Sequence, residues 1–404
     1  MTFSAFDRHM MAIALRMARR GLGRTAPNPA VGAVVADEAT GEVIARGWTQ
    51  PGGRPHAEPE ALRRAGERAR GKTMFVTLEP CSHYGKTPPC ADAVIASGIS
   101  RLVAAIEDPD PRVAGRGLSR LRAAGVRVER GLMAREAHWV TRGHIVRITE
   151  RRPFVQLKMA LGPQGDVPRG ASGTPTWVTG PEARTMGHLL RAEADAILVG
   201  HGTVADDDPE LTCRLPGLAH RSPVRVVLAG DPRGLAGSRL ARGARQVPVW
   251  VFSGTAKGLP TTQGREDSPA ARAELIATLE AAGIRVFPVE RIGASLWLPA
   301  VMEALVADGI TRLLVEGGPR MWRSFAHHGL VDEVVLFRSR GGESGAITQA
   351  AAIELLARYI EVGDLALVDR RRLGGDEMLV FRSGLPGLSL GADATGRAPA
   401  TRKE

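Results

Sequence analysis

The feature that most restricts how this chain can fold is a set of metal-binding residue types lying far apart along it. His56-Ala57-Glu58 is followed by Pro80-Cys81 and then by Cys90. One imidazole and two thiolates give Zn²⁺ three protein ligands and leave a fourth position for water, which is the catalytic rather than the structural pattern. We therefore predict a fold that brings His56, Cys81 and Cys90 together around Zn²⁺.

Glu58 remains as a carboxylate beside this predicted metal. Zn²⁺ lowers the pKa of a bound water to about 7, and a neighbouring carboxylate is then placed to move protons. We predict Glu58 as the catalytic residue. The order of His-x-Glu, Pro-Cys and a second Cys is the zinc-site signature of cytidine-type deaminases, so the motif resembles that family.

The alternative for Cys81 and Cys90 is a disulfide. The chain has 3 cysteines, and residues 1–7 show no basic-then-apolar signal peptide. No apolar run approaches the roughly 18 residues of a spanning helix. We expect a reduced, cytoplasmic chain without a membrane segment, in which this spacing favours metal over a disulfide. Cys213 is expected to be an ordinary core or loop thiol.

Composition indicates an ordinary globular protein of 404 residues, long enough for two domains. The net charge of +11 raises the question of a nucleic-acid partner. Of the 54 basic residues only five are lysine, and the arginines are scattered among acids. There are 2 tyrosines and no basic stripe interleaved with aromatic residues. We expect a small-molecule substrate and no nucleic-acid partner, and a homo-oligomer stays open.

Predicted strands alternate with predicted helices, which favours layered α/β architecture. Residues 1–148 are predicted to form one domain and residues 154–384 a second. Residues 149–153 are predicted to be a linker, and the Gly-, Ala- and Pro-rich residues 385–404 a disordered tail. Both zinc-ligand segments then lie at strand-to-helix junctions, where ligands converge on open α/β sheets.

Two glycine-containing junctions stand out in the second half. The strand 196–200 is predicted to lead into a Gly-rich loop, Gly200-His201-Gly202-Thr203. The strand 312–315 ends at Glu316-Gly317-Gly318-Pro319 before a helix, which suits a pyrophosphate because free amides and the helix dipole point at the anion. A tight turn is the alternative for the glycine pair.

Three runs resemble the bifunctional deaminase/reductase family of riboflavin biosynthesis. They are Pro27-Asn28-Pro29-x-Val31-Gly32, Pro55-His56-Ala57-Glu58 and Thr77-Leu78-Glu79-Pro80-Cys81-Ser82-His83-Tyr84-Gly85-Lys86-Thr87-Pro88-Pro89-Cys90. Asp108-Pro109-Asp110-Pro111 and Gly115-Arg116-Gly117 are also similar to that family. Eight residues separate the two cysteines, as in the riboflavin enzymes, whereas nucleic-acid and nucleoside deaminases usually hold Cys-x-x-Cys.

The resemblance implies a cytidine-deaminase-like three-layer N-terminal domain and a dihydrofolate-reductase-like C-terminal domain. It implies Zn²⁺ and NADPH as cofactors. The substrate would be the diamino-ribosylamino-pyrimidinone 5′-phosphate, deaminated hydrolytically and then reduced from ribosyl to ribityl. Asn28, Glu79 and His83 match motif positions that orient the base or the ligands, and turn formation or packing is the alternative for each.

The resemblance also implies residues of the reductase site. The cofactor-contacting positions are Ala160, Trp177, Thr203, Asp207, Gly318, Pro319, Arg320, Met321, Trp322, Arg323 and Ser324. The substrate-binding positions are Arg191, Leu211, Arg214 and Glu316, and arginine forks suit a phosphate monoester. Lys158, on the strand beside Ala160, is expected to be polar support for the sugar.

The chain departs from the family pattern mainly in its second half. Gly162-Pro163-Gln164-Gly165-Asp166 replaces Ser-x-Asp-Gly-Lys, Pro175 replaces a serine, and Arg340-Gly341-Gly342-Glu343 replaces a more apolar stretch. Thr49 and Pro59 are smaller departures in the first half. The alternative function is therefore a zinc pyrimidine deaminase whose C-terminal domain binds nucleotide but no longer reduces it.

Overall fold

The structure is a computed structural model, and it divides into two compact units that interleave along the chain. The described residues are 2–167, 178–254, 269–293, 295–341 and 347–384. The first unit comprises Met1–Phe154 with Gly187–Leu314, and the second Val155–Met186 with Val315–Glu404. The predicted domains 1–148 and 154–384 are continuous in sequence, so they differ from these units and stay a prediction.

The N-terminal third alternates helices and strands as predicted. Its elements are α1 (Ala5–Arg19), β1 (Gly32–Ala36), β2 (Val43–Trp48), α2 (Ala57–Ala65), β3 (Thr73–Val76), α3 (Cys90–Ala96), β4 (Arg101–Ala104), α4 (Arg116–Ala123), β5 (Arg127–Arg130) and α5 (Ala134–Glu150).

The remainder of the chain continues the alternation. Its elements are β6 (Phe154–Leu161), α6 (Pro181–Glu193), β7 (Ala196–Gly200), α7 (His201–Asp207), β8 (Val224–Ala229), α8 (Arg239–Arg242), β9 (Val249–Gly254), α9 (Pro269–Ala281), β10 (Ile284–Val289), β11 (Arg291–Ile292), β12 (Ser295–Leu296), α10 (Leu298–Ala307), β13 (Arg312–Glu316), α11 (Pro319–His327), β14 (Glu333–Ser339), α12 (Gln349–Ala357), β15 (Ala366–Leu373) and β16 (Asp376–Arg382).

A five-stranded sheet organises the N-terminal third, in the order β2-β1-β3-β4-β5. β1 pairs antiparallel with β2 and β3, whereas β3, β4 and β5 run parallel. Every residue of β1, β3 and β4 is buried. Strands buried on both faces require a covering layer on each side of the sheet.

Two glycines show how closely the covering helices approach. A Cβ added at Gly32 would lie 1.9 Å from the carbonyl oxygen of Ala14 in α1, and one at Gly47 would lie 2.2 Å from that of Ala57 in α2. Gly47 pairs with Ala33 across the sheet, so it shares a face with Ala33 and not with Gly32. α1 and α2 therefore cover opposite faces, which confirms the three-layer architecture.

The first unit also contains parallel strands in the order β10-β9-β8-β7, followed by β13. In the second unit β6 pairs in parallel with β14, while β16 pairs antiparallel with β14 and β15. None of the helices within the described ranges is long and apolar enough to cross a bilayer.

Two expectations need correction. Thr149 and Glu150, predicted to begin the linker, are the last residues of α5, so only 151–153 connect α5 to β6. The predicted Gly-rich loop is the start of α7, because Gly200 adopts the extended conformation of a helix cap (φ −82°, ψ 158°) and His201 begins the helix. The predicted tail, 385–404, lies outside the described residues.

Candidate functional site

The predicted metal ligands come from three separate elements of the N-terminal third. His56 is the residue that caps α2, and Cys90 is the first residue of α3. Cys81 lies in the loop that follows β3. α2 and α3 contact each other, so packing of the two helices brings these distant sequence segments to one place.

The three donor atoms form a cluster of the size that zinc requires. The Nδ1 atom of His56 lies 3.3 Å from Sγ of Cys90 and 3.8 Å from Sγ of Cys81. All three atoms lie within 4.8 Å of one another. Tetrahedral coordination with Zn–S and Zn–N distances of about 2.3 and 2.0 Å places S and N ligands about 3.5 Å apart. The donor set and its spacing therefore fit Zn²⁺.

Both cysteines in the cluster are free thiols in the structure. Hydrogen bonds from Cys90 and His56 lower the pKa of Cys81 to about 4 despite its partial burial. A thiolate is the form that binds metal, so the arrangement favours the metal site over the disulfide. Cys213 is also free and is 1% exposed, which confirms it as a core thiol.

Glu58 lies in the first turn of α2 and is only 3% exposed. Burial raises the pKa of its carboxyl to about 7. A carboxyl with a pKa near the working pH both accepts and donates protons readily. The structure thus places a buried carboxyl with a raised pKa beside the predicted ligand His56, and its role in proton transfer stays a prediction.

Glu79, two residues before Cys81, anchors a neighbouring loop rather than facing the metal cluster. Its carboxylate accepts hydrogen bonds from the backbone N–H groups of Asp108 (3.2 Å), Gly115 (2.9 Å) and Leu118 (3.1 Å). These contacts favour the packing alternative for Glu79. Asp108 in turn contacts His144 of α5 at 2.9 Å. The sequence did not indicate His144 as a partner of Asp108, because a single histidine in a helix forms no spacing pattern.

Asn28 and His83 are held in different ways. The Nδ2 atom of Asn28 donates to the carbonyl oxygen of Gly53 at 2.8 Å, in the turn that precedes His56. The Nδ1 atom of His83 is buried and has no hydrogen-bond partner among the described residues. A buried polar atom without a partner is costly, so His83 has capacity to bind a ligand.

In the first unit the structure brings three of the predicted substrate residues together. Arg191 of α6 donates from Nη1 to the carbonyl oxygen of Thr212 at 3.1 Å, next to the buried Leu211. The backbone N–H of Arg214 donates to Nδ1 of His188, one turn before Arg191 in α6. The segment 211–214 is therefore bound along the C-terminal part of α6.

The fourth predicted substrate residue, Glu316, lies in the second unit at the end of β13. Its carboxylate is 4.0 Å from Nζ of Lys158 on β6, two residues before Ala160. Lys158 therefore pairs with a predicted substrate residue, and its support of the sugar stays a prediction. Thr203 and Asp207 lie on α7 in the first unit, and burial raises the pKa of Asp207.

The predicted cofactor segment forms the beginning of α11. Gly318 caps this nine-residue helix with extended backbone and is exposed, as are Arg320 and Arg323. Backbone N–H groups at a helix start suit a pyrophosphate, although here Pro319 supplies none and that of Met321 donates to the carbonyl oxygen of Gly318 at 2.9 Å. The indole of Trp322 is 2% exposed and packs edge-on against Tyr359 (centroids 5.4 Å apart), so it belongs to the core. Trp177 and Pro175 lie outside the described residues.

The segment 162–166, which departs from the family pattern, is an ordered turn. The N–H of Gly162 donates to the carbonyl oxygen of Asp166 at 2.8 Å, and that of Gly165 to Gly162 at 3.0 Å. Tyr359 donates from its hydroxyl to the carbonyl oxygen of Gly165 at 2.6 Å. The altered residues therefore keep a hydrogen-bonded connection after β6.

Two family models match consecutive parts of the chain. Residues 4–106 match the cytidine and deoxycytidylate deaminase zinc-binding region, and residues 153–339 match the RibD C-terminal domain. The first match contains all three predicted metal ligands and Glu58. The second contains every predicted cofactor and substrate residue.

Curated relatives resemble the chain over most of its length. The riboflavin biosynthesis protein RibD of Aquifex aeolicus is 36% identical over 366 residues, covering 89% of this chain and 91% of the relative. RibD of Escherichia coli is 38% identical over 365 residues, covering 87% and 93%.

Solved structures show the same similarity. A diaminohydroxyphosphoribosylaminopyrimidine deaminase/5-amino-6-(5-phosphoribosylamino)uracil reductase from Thermotoga maritima is 31% identical with a TM-score of 0.72, and the alignment covers 94% of this chain and 99% of that one. RibD of Acinetobacter baumannii is 30% identical with a TM-score of 0.74, covering 94% and 99%.

Proposed function

The chain belongs to the RibD family of riboflavin biosynthesis proteins, and from that premise we propose how its residues perform the two reactions. As a member of this family it is a bifunctional enzyme, a zinc-dependent deaminase and an NADPH-dependent reductase. The alternative of a C-terminal domain that has lost reduction is not favoured. The substrate we propose is the phosphoribosylamino-pyrimidine named for the Thermotoga maritima relative.

For deamination, His56, Cys81 and Cys90 would hold Zn²⁺ through Nδ1 and the two Sγ atoms. When bound, the metal would lower the pKa of a water molecule and so make it a better nucleophile. Glu58 would accept one proton of the attacking water at its carboxylate and deliver it to the ring nitrogen. It would then pass the second proton of that water to the departing amine, so that the carbon–nitrogen bond breaks, a carbonyl forms and ammonia leaves. His83 would bind the substrate through its unpartnered Nδ1, and Asn28 would border the base.

One observation carries this assignment. The three donor atoms converge at zinc-ligand spacing while Glu58, with a pKa of about 7, is buried beside them. In a structural zinc site a fourth protein ligand normally closes the coordination shell. The described residues offer three ligands in this cluster, which leaves a position for chemistry.

For reduction, Arg191 and Arg214 would bind the phosphate of the substrate, with Leu211 and Glu316 as further contacts. NADPH would supply the hydride that converts the ribosyl group to ribityl. The start of α11 would hold the cofactor's pyrophosphate. The remaining proposed cofactor contacts are Ala160, Trp177, Thr203, Asp207 and the residues from Gly318 to Ser324, with Trp322 supporting them from the core.

The test of the deaminase assignment is Glu58→Gln in the full-length protein. We expect zinc content to stay near one per chain while ammonia release falls by at least roughly 100-fold, because the proton-transfer group is lost. Glu60→Gln is the matched control. Glu60 lies two residues after Glu58 in α2 and forms ion pairs with Arg63 and Arg64. A Glu58→Gln protein as active as the parent would contradict the proton-transfer role.

We also propose, from the composition and the family, that the enzyme acts in the cytoplasm on a small phosphorylated pyrimidine and binds no nucleic acid. Gel-shift titration with RNA and DNA at physiological salt checks the last point. Specific retention at nanomolar protein would contradict it.

A further inference from the structure

A guanidinium from the C-terminal part of the first unit binds the deaminase part of the same unit. Arg221 lies in a short 3₁₀ turn, Ala219–Arg221, far outside the deaminase match 4–106. Its Nη2 atom donates to the carbonyl oxygens of Arg20 (3.0 Å) and Leu22 (2.7 Å). These carbonyls follow α1, where backbone acceptors lack helical partners and a cation is favoured by the helix dipole.

The contact continues at the next residue of this segment. Gly23 has φ +71°, and a Cβ there would lie 2.5 Å from the carbonyl oxygen of Ala192 and 3.0 Å from that of Ala194. Side chains other than glycine are strained at this φ and have no space at this position. The backbone after α1 therefore lies directly on the chain that follows Arg191.

The same segment supports the deaminase site. The N–H of Gly52 donates to the carbonyl oxygen of Arg24 at 2.8 Å, and Asn28 donates from Nδ2 to Gly53 at 2.8 Å. The turn is closed by the N–H of Gln50 donating to Pro55 at 2.9 Å. Pro55 directly precedes the ligand His56, so residues 20–28 contact the turn that leads into the metal cluster.

Arg221 is in turn linked to the proposed reductase substrate segment. Its neighbour Ser222 accepts a hydrogen bond at Oγ from the N–H of Cys213 (3.1 Å) and donates to Ala219 (2.8 Å). Cys213 lies between Leu211 and Arg214. Hydrogen bonds at Ser222 and Arg221, which are neighbours in the chain, thus join the segment 211–214 to residues 20–22.

We propose that Arg221 is a positioning residue for deamination. It fixes residues 20–28, and through them Asn28 and the turn before His56, so that part of the chain outside the deaminase match completes the pyrimidine-binding side of the deaminase site. The proposal rests on the proposed deaminase function. It places a determinant of deaminase substrate affinity in the region that matches the RibD C-terminal domain.

The test compares Arg221→Met with Arg245→Met in the full-length protein. Arg245 also donates a guanidinium hydrogen bond to a carbonyl oxygen, that of Ala281 at 3.0 Å. Donor and acceptor of this bond both lie after position 200, so it does not reach the deaminase match. For Arg221→Met we expect a deaminase KM raised roughly tenfold, with kcat changed less than about twofold and zinc content unchanged. Arg221→Lys, which keeps a donor, is expected to recover part of the affinity. Arg245→Met is expected to leave the deaminase KM unchanged.

Gly23→Ala is the second variant and is expected to raise the same KM, because it displaces the segment from the other side. Equal KM values for parent, Arg221→Met and Gly23→Ala would overturn the proposal. A proportional loss of kcat, zinc and melting temperature without a KM change would also overturn it, since that pattern marks a purely structural residue. Failure of the proposed function is distinguishable, because the parent itself would then release no ammonia.

Discussion

The metal cluster and the start of α11 use the same kind of place in the fold in opposite ways. Both lie where a loop enters a helix, His56 before α2 and Gly318 before α11. The metal cluster depends on side-chain donor atoms, and coordination chemistry restricts these to a few types, here the nitrogen of histidine and the sulfur of cysteine thiolates. The start of α11 offers backbone amides, which almost any residue supplies. The first site is therefore far more visible in a sequence than the second.

The largest expected effect separates the two sites by removing the metal. Dialysis against a zinc chelator is expected to reduce ammonia release to background, because no metal then lowers the pKa of the attacking water. Oxidation of NADPH with the deaminated pyrimidine phosphate is expected to continue at the parental rate. Absorbance at the nicotinamide band and an ammonia assay on the same sample measure both activities.

Zinc added back is the control, and it is expected to restore deamination. Simultaneous loss of both activities on chelation would break the comparison, since it would make the metal a structural requirement of the whole chain.

An intermediate effect tests the charged part of the reductase site. Arg191→Met is expected to raise the KM for the deaminated substrate by about 10- to 100-fold, because a hydrogen bond to a charged phosphate is lost. Deamination by the same protein is the internal control and is expected to stay at the parental rate. An unchanged KM would show that Arg191 serves only its contact with Thr212.

The smallest effect is expected at the turn that departs from the family pattern. Tyr359→Phe removes the hydrogen bond to Gly165, and we expect a loss of about 1 kcal/mol in the free energy of unfolding. The Kd for NADPH is expected to change by less than about fivefold. Denaturant unfolding and fluorescence titration measure these quantities, and a Kd raised more than that would show that 162–166 contacts the cofactor directly.

The sequence predicted that His56, Cys81 and Cys90 lie together, because zinc chemistry allows few residue types, and the structure brings their donor atoms within 4.8 Å of one another. Glu58 was predicted for the same reason. The role of Glu79 stayed open at that point, since a carboxylate that binds three backbone N–H groups leaves no trace in spacing. Trp322 matched a cofactor position in the sequence. Its indole is buried against Tyr359 instead, a long-range contact that the sequence does not indicate.

Helices with polar buried faces were the hardest elements to predict. α5 spans 17 residues, yet its buried positions include Thr141, Arg142 and His144, which interrupt the apolar period. Its last two residues, Thr149 and Glu150, open a polar run that ends in Pro153, and for that reason they were assigned to a linker. α7 was predicted to be a loop because two glycines, Gly200 and Gly202, usually indicate a turn, whereas here one caps the helix and the other fits its first turn.

Two glycines on neighbouring strands of the five-stranded sheet, Gly32 and Gly47, have a consequence for how this site evolves. Gly47 lets the backbone of Ala57 approach the strand, and Ala57 lies between the ligand His56 and Glu58. A methyl group at Gly47 would push the start of α2 outward and spread the donor atoms. Substitution of Gly47 is thus restrained by the coordination geometry, although Gly47 itself is not a predicted contact of the metal or the substrate. The geometry of the reactive site therefore depends partly on the absence of side chains at two positions of neighbouring strands, Gly32 and Gly47.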